Sequence, residues 1–421
     1  MEKKLKIFAI VGTEYTNTFD TLYYEAKKRN DIDFKFVVIP FRTPFYNIPM
    51  EKIERVMNEK KYPYIKGYDE QADKYLDLKQ LNPDAVFVQS PYDLHRYSFL
   101  YSTRYFATFC ACYHISYGCS LLDYDRPPYD YLVRAFNPPA IILNENTMMA
   151  KYLGKYHKNV PIGYLKCDKY INYRDNQDFH FKKRPDNYKH IIAWKPRWVG
   201  VPGESTFLKY VDFFLEYCEQ NPDTLLYFIK HDLMKNNMVN EKKVLTEEQF
   251  DNIFNKIAAL NNIEIISHGD FLDDVFNADI FIGDYCSTII EFALSGKPVL
   301  YTPTNVFFNE FGKKVSKGFY FINSADEMKK VLSDLLDNNK DPLQKQREKL
   351  RGIISDTHDN QTIAQHLIEY LTQNIEKDKQ YCHSLEIQLD FPKKKISWKN
   401  KIRYKIWKHL NKKLKKKGII P

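Results

Sequence analysis

Residues 278–303 read ADIFIGDYCSTIIEFALSGKPVLYTP. The apolar run at 279–283 predicts a short strand, and residues 285–295 have the periodicity of a helix. A second short strand is predicted at 298–301. A strand, a helix and a parallel strand in this order are the unit from which α/β sheets are built.

Asp284, Ser287 and Thr288 lie between the first strand and the helix. Side chains at such a turn point at the same space as the unpaired N–H groups of the first helical turn, which is how a parallel α/β sheet forms an anion site. Glu291 lies on the same helical face, where a carboxylate suits hydroxyl recognition. The segment predicts a site for a phosphate and a hydroxyl, with simple helix capping as the alternative.

Strands and helices alternate on both sides of this segment. Strands are predicted at 5–11, 34–39, 85–89, 109–116, 140–143, 160–165, 190–194, 224–229 and 263–266. Helices are predicted at 19–29, 51–60, 69–78, 145–153, 205–218, 247–260, 325–337 and 362–372. Residues 168–187 are polar and charged, which indicates a link between domains. We predict an α/β fold with two Rossmann-like doubly wound domains, 1–180 and 181–378, facing across a cleft, followed by a tail at 379–421.

The positive charge is concentrated at the end of the chain. The 421 residues carry a net charge of +9, and residues 393–421 contain 13 Lys or Arg and no acid. Subtracting those 13 charges from +9 leaves −4 for residues 1–392. A body of this charge argues against nucleic-acid binding.

Within the tail, apolar residues recur every four positions, from Trp398 through Ile402 and Ile406 to Leu414. This pattern predicts a C-terminal basic amphipathic helix that binds an anionic membrane surface. A solvated helix or a nonspecific RNA-binding tail is the alternative.

Cysteine usage and hydropathy indicate an intracellular protein. The seven cysteines form no CxxC pair, so neither a disulfide framework nor a zinc site is expected. The apolar run at 5–11 is too short for a signal peptide, and no segment approaches the ~20 apolar residues of a membrane span. We expect a peripheral protein on the cytoplasmic face of the cell membrane.

Two more motifs follow predicted strands of the second domain, WKPRW at 194–198 and IKHD at 229–232. Both should lie at the same sheet edge as Asp284. Arg197, Lys230 and His231 are predicted to offer positive charge and N–H donors to a pyrophosphate. A surface ion pair for Arg197 and a histidine without a role are the alternatives.

The first domain carries the sequence YHISYGCS at 113–120. His114 is a candidate general base if the chain bends towards the cleft, or else a half-buried strand histidine. Tyr117 and Gly118 form the turn that follows.

These motifs resemble those of the CDP-glycerol glycerophosphotransferase family, the teichoic-acid and capsule polymerases. Residues 284–287, the helix carrying Glu291 and the GKP at 296–298 resemble the family's donor-binding segment. WKPRW resembles its WTPHW motif, IKHD its KPHP motif, and the turn at Gly118 its WHG region. The departures are Tyr117, Arg197, Lys230 and Cys286.

The resemblance implies the GT-B architecture and transfer of glycerol phosphate, or a related polyol phosphate, from a CDP-activated donor to a lipid-linked or capsular glycan, with release of CMP. It implies His114 and His231 as catalytic residues and, as donor-binding residues, Tyr117, Gly118, Arg197, Lys230, His231, Asp284, Ser287, Thr288 and Glu291. No cofactor is firmly implied; a divalent metal ion would suit a pyrophosphate donor, but no acidic pair demands one. The alternatives are a GT-B glycosyltransferase using a nucleotide sugar and a non-catalytic membrane-tethered binding protein.

Overall fold

A computed structural model describes residues 4–42, 47–89, 98–115, 118, 121, 140–153, 158–171, 183–200, 203–267, 271–305, 307–355 and 361–388. The first domain is built on a parallel seven-stranded sheet in the order β7-β6-β5-β4-β1-β2-β3. Its strands are β1 (Leu5–Val11), β2 (Ile32–Val38), β3 (Tyr64–Lys66), β4 (Ala85–Val88), β5 (Ala111–Ile115), β6 (Ile141–Asn144) and β7 (Asn159–Pro161).

The second domain is built on a parallel six-stranded sheet in the order β10-β9-β8-β11-β12-β13. Its strands are β8 (His190–Lys195), β9 (Thr224–Ile229), β10 (Ile263–Ile266), β11 (Ile280–Gly283), β12 (Val299–Tyr301) and β13 (Phe319–Phe321).

Helices connect and cover the two sheets. They are α1 (Asn17–Lys27), α2 (Met50–Glu59), α3 (Thr103–Ala107), α4 (Thr147–Leu153), α5 (Lys166–Ile171), α6 (Phe207–Gln220), α7 (Glu247–Ala258), α8 (Leu272–Asn277), α9 (Thr288–Ala293), α10 (Glu310–Val315), α11 (Ala325–Leu336), α12 (Gln344–Glu348), α13 (Leu350–Ile354) and α14 (Ile363–Gln388). The described ranges also contain short 3-10 turns at Leu78–Leu81, Phe99–Tyr101 and Ser316–Gly318 and a π turn at Asn236–Glu241. None of the helices in these ranges combines the length and hydropathy needed to span a bilayer.

Strand β8 shows why both faces of the second sheet are covered. Ile191 and Ala193 pack into the large apolar cluster shared with the first domain, whereas Ile192 and Trp194 pack into a second cluster against α6. Successive strand side chains point to opposite faces, so a strand buried on both sides reads as a continuous apolar run. The fold therefore confirms the predicted class of two Rossmann-like α/β domains.

The helix predicted at 69–78 is wrong. Tyr68–Asp69 pairs with Lys74–Tyr75 as a short antiparallel ribbon, like Phe41–Arg42 with Asn47–Ile48 elsewhere. The Asp69 carboxylate accepts hydrogen bonds from the backbone N–H groups of Gln71 and Ala72, and Asp73 has a positive φ of 47°. A side chain that bonds to its own following backbone favours a turn over a helix.

The last helix of the described residues, α14, returns to the first domain and packs against α1 and β5. The sequence pattern predicts its end at 372, but the helix continues to Gln388, past the predicted domain boundary at 378. The basic tail at 393–421 and most of the predicted link, 172–182, lie outside the described residues.

Candidate functional site

Three strand ends of the second sheet lie side by side. β8 pairs with β9 through Trp194 and Phe228, and with β11 through Lys195 and Gly283. Because all three strands are parallel, the segments that follow them leave the sheet at one edge, as predicted from the three motifs. In open α/β sheets this carboxyl edge is where ligands bind.

Asp284 is fully buried and binds backbone N–H groups at this edge of the sheet. One of its carboxylate oxygens accepts a hydrogen bond from the backbone N–H of Arg197 at 2.6 Å. The other accepts from the backbone N–H and hydroxyl of Thr206, at 2.8 and 3.1 Å. Burial raises the pKa of this carboxyl to about 6. Both oxygens join the loop after β8 to the start of α6, and the contact of Asp284 with the donor stays a prediction.

Glu291 is also buried, and it joins the two domains. Its Oε1 accepts hydrogen bonds from the Tyr164 hydroxyl at 2.8 Å and from Lys166 Nζ at 2.6 Å, both in the first domain. Glu291 therefore forms an interdomain ion pair through Oε1, and its recognition of a ligand hydroxyl stays a prediction. The sequence pattern placed Glu291 on the right helical face but did not reveal what packs there.

Ser287 and Gly118 come together across the cleft. A Cβ atom built on Gly118 would lie 2.8 Å from Ser287 Cβ and 3.3 Å from its hydroxyl. Ser287 precedes α9 but makes no side-chain cap hydrogen bond, so the capping alternative does not apply to it. Thr288, in contrast, is 1% exposed and packs inside the fold. Tyr117 lies outside the described residues.

His231 lies at this edge of the sheet as a neutral imidazole. Its Nδ1 accepts a hydrogen bond from the backbone N–H of Leu233 at 3.1 Å, so the ring proton resides on Nε2. Burial, and secondly the charge of Lys195, lower the pKa of His231 to about 4. The predicted positive charge of His231 is corrected: near neutral pH this side chain is an uncharged donor through Nε2.

The other two predicted cations, Arg197 and Lys230, contact different parts of the domain. The Arg197 guanidinium lies over the Tyr285 ring, 5.7 Å from its centroid, beside the turn that leads to Ser287. Lys230 Nζ lies 5.5 Å from the ring centroid of Phe254 on α7. Arg197 is thus held at the edge, whereas Lys230 is directed onto a helix that covers the sheet.

His114 is 3% exposed in β5, paired with Val88 and Ile142. The hydroxyl of its neighbour Tyr113 donates to Asp378 on α14, so His114 faces the opposite side of the sheet. The alternative interpretation is a half-buried strand histidine, and His114 is more deeply buried in the strand than that.

Sequence reasoning missed Lys195 and Glu145. Lys195 ends β8, and burial lowers its pKa. Glu145 directly follows β6 at the carboxyl edge of the first sheet, is 6% exposed, and burial raises its pKa to about 7, a value suited to a general base. The available signal was their position directly at a strand end. Across the described ranges, no group of three or more His, Cys, Asp or Glu side chains is arranged to hold a metal ion.

Comparison with known proteins identifies the fold. No protein-family model matches the sequence. No curated protein sequence matches it either. Solved structures do match in three dimensions. The UDP-GlcNAc 2-epimerase from Neisseria meningitidis bound to UDP-GlcNAc has a TM-score of 0.55 at 16% identity, covering 88% of this chain and 100% of the other.

The S. aureus MnaA–UDP structure has a TM-score of 0.56 at 13% identity, covering 88% and 97% of the two chains. A variant of the wall teichoic acid polymerase TagF soaked with CDPG has a TM-score of 0.55 at 12% identity, covering 89% of this chain and 88% of the other. At these identities the likeness concerns the fold alone. The chain accordingly has the GT-B fold, with two Rossmann-like domains.

Proposed function

We propose that this chain is a GT-B transferase that moves glycerol phosphate, or a related polyol phosphate, from a CDP-activated donor to a hydroxyl of a lipid-linked or capsular glycan and releases CMP. The observation that carries the proposal is the approach of Gly118 to Ser287. These residues come from the two segments that most resemble the acceptor-side and donor-side motifs of CDP-glycerol transferases, and they meet at the carboxyl edge of the second sheet. A TagF polymerase soaked with CDPG has the same fold.

In the proposed reaction the acceptor hydroxyl attacks the phosphorus next to glycerol. A new O–P bond forms, and the P–O bond to CMP breaks. Arg197 contributes a permanent charge beside the Ser287 turn, and His231 contributes a neutral N–H donor through Nε2. The Asp284 carboxylate fixes the loop that carries Arg197. These groups would stabilise charge that develops on the phosphate oxygens.

The proton of the acceptor hydroxyl needs a base. His114 was the predicted residue, but it lies within the strand layer. Glu145 follows the neighbouring strand at the carboxyl edge, and its raised pKa of about 7 matches the requirement for a base that works near neutral pH. We therefore favour Glu145 over His114 for this role.

The proposed acceptor is bound to a membrane, and the proposed location is the cytoplasmic face. The support is the basic, Trp-containing pattern at 393–421. Each basic residue near an anionic bilayer is worth about 1 kcal/mol, so a dozen would hold the protein at the surface in a salt-sensitive manner.

The test is CMP release from CDP-glycerol and CDP-ribitol by the purified full chain, with and without membrane extract from its source. We expect release that depends on the extract and falls at least about tenfold in Arg197→Gln, because one charge-assisted contact to phosphate is worth about 1.5–3 kcal/mol. Glu204→Gln, on the same loop, is the matched control. Absence of release by a folded protein from either donor would contradict the proposal.

A nucleotide-sugar glycosyltransferase is the second candidate, because structures with the same fold hold UDP or UDP-GlcNAc. Turnover of UDP-, GDP- or CMP-sugars in preference to CDP-polyols would favour it. A non-catalytic binding protein would instead bind a CDP-alcohol without ever releasing CMP.

A further inference from the structure

Lys195 occupies the centre of the candidate site. It is the last residue of β8, and its backbone pairs with Gly283, directly before Asp284. His231 follows the neighbouring strand on the other side, close enough for the charge of Lys195 to lower its pKa. Lys195 therefore lies between the two strand ends whose motifs resemble a donor site.

The charge of Lys195 has no counter-ion among the residues that the structure describes. Its described contact is with the Phe271 ring, where Nζ lies 4.6 Å from the centroid. Two other lysines have close oxygen partners. Lys166 pairs with Glu291 at 2.6 Å, and Lys297 donates hydrogen bonds to two backbone carbonyls at 2.7 Å. A desolvated ammonium without such partners is costly, and proteins keep one mainly where function requires it.

Two of the acidic groups around Lys195 are already engaged. Asp284 accepts from Arg197 and Thr206, and Glu291 accepts from Tyr164 and Lys166. Together with the Cys286 thiol and the Asp232 carboxylate, both act on Lys195 through longer-range attraction, which opposes the lowering of its pKa by burial. An anion entering the edge would supply the missing short contact, and the Nε2–H of His231 would provide a neighbouring donor.

We propose that Lys195 is the anion-binding cation of this edge and that its ligand is a diphosphate group. The identification of that diphosphate as part of a CDP-activated donor rests on the proposed function. The geometry assigns Lys195 the role that the sequence motifs had suggested for Lys230.

The first experiment measures binding by calorimetry with the full chain, using inorganic pyrophosphate and CDP-glycerol as probes. Lys195→Met keeps the apolar stem on Phe271 but removes the charge, and should weaken binding of both probes by about tenfold or more. Lys195→Arg should bind within about threefold of the unmodified protein. Lys209→Met is the matched control, because Lys209 is an exposed lysine that also lies over an aromatic ring, that of Tyr210 at 5.0 Å.

A second measurement separates binding from a structural role. Removing a partly desolvated charge that has no counter-ion should leave the melting temperature of Lys195→Met, without ligand, equal to or above that of the unmodified protein. Pyrophosphate should then raise the melting temperature of the unmodified protein more than that of Lys195→Met. Affinity should also fall on raising the pH through the lowered pKa of Lys195, and this alkaline loss should be absent in Lys195→Arg.

The outcomes distinguish this inference from the proposed function. If pyrophosphate binds in a manner that depends on Lys195 but CDP-glycerol does not bind, the anion site is supported and the proposed CDP-glycerol donor is contradicted. If Lys195→Met turns over CDP-glycerol as fast as the unmodified protein, the proposed donor is supported and the proposed role of Lys195 is overturned. The anion site is also overturned if the unmodified protein binds neither probe, or if Lys195→Met melts earlier and binds pyrophosphate normally.

Discussion

Two titratable groups at strand ends, Glu145 and His231, show how burial selects the uncharged form of a side chain. Burial raises the pKa of Glu145 to about 7 and lowers that of His231 to about 4. The physical cause is the same for both, because a low-dielectric surrounding disfavours charge of either sign. The consequence for function is that a carboxyl able to accept a proton and an imidazole able to donate a hydrogen bond are both available near neutral pH.

The substitution Glu145→Gln tests whether burial raises the pKa of this carboxyl. The folded-state pKa of about 7 lies above the ordinary value of 4.5, so Glu145 favours folding fully below pH 4.5 and this stabilisation is lost as the pH rises through 7. The unfolding free energy of the unmodified protein should therefore fall, relative to that of Glu145→Gln, by about 3 kcal/mol between pH 4.5 and about pH 8. Urea unfolding across this range measures the gap, with the exposed Glu264→Gln as control. A gap that does not change with pH would contradict the burial argument.

At the scale of elements, α14 begins where the chain returns to the first domain. The Asp168 carboxylate accepts the backbone N–H groups of Ile363 and Ala364, each at 2.8 Å. Gly163, with a φ of +113°, lets the backbone approach Ile363 and Ser355, where a Cβ would lie 3.0 Å from their side chains. The segment GYLKCD at 163–168, at the end of the first domain, thus holds the start of α14.

Asp168→Ala should lower the unfolding free energy by about 1–2 kcal/mol, because the first two N–H groups of α14 lose their acceptor. Hydrogen exchange at Ile363 and Ala364 should accelerate while exchange in β9 changes little. Asp186→Ala, which removes an exposed ion pair with Lys183, is the control and should have little effect. Equal exchange at the start of α14 in both variants would refute the capping role.

At the scale of the whole molecule, the described contacts between the domains converge on the cleft. Glu291 pairs with Lys166 and Tyr164, the Leu121 carbonyl accepts the backbone N–H of Asn309 at 2.9 Å, and Gly118 lies against Ser287. The candidate site is therefore assembled from both domains, and the groups that hold it together lie next to those proposed to bind the donor.

The Glu291–Lys166 pair predicts strong coupling between the domains. Glu291→Gln or Lys166→Met alone should cost about 3–5 kcal/mol, because each leaves a buried charge without its partner. The double variant should cost clearly less than the sum of the two, as expected for residues in contact. Chemical denaturation measures the cycle, and small-angle scattering should show a larger radius of gyration for the single variants. Additive losses without expansion would contradict an interdomain pair.

The sequence by itself determined the elements and the edge at which they end. The strands Leu5–Val11, Thr224–Ile229 and Ile263–Ile266 match their predicted bounds, because an apolar run between turn residues is a local signal. Parallel strands align their carboxyl ends, so the motifs at 194–198, 229–232 and 284–288 were correctly expected at one edge. Local pattern failed at 69–78, where side-chain hydrogen bonds of Asp69 override it.

Only the tertiary structure decided what each side chain does at that edge. Asp284, Glu291 and Lys230 carry the residue types expected of a donor site, yet they are held by Thr206, Lys166 and Phe254 respectively. Glu145 carries no motif, the WKPRW motif does not single out Lys195, and the importance of both residues follows from their desolvation. The physical reason is that hydrogen-bond partners and desolvation depend on chain segments up to about two hundred residues apart, which packing brings together and no local spacing encodes.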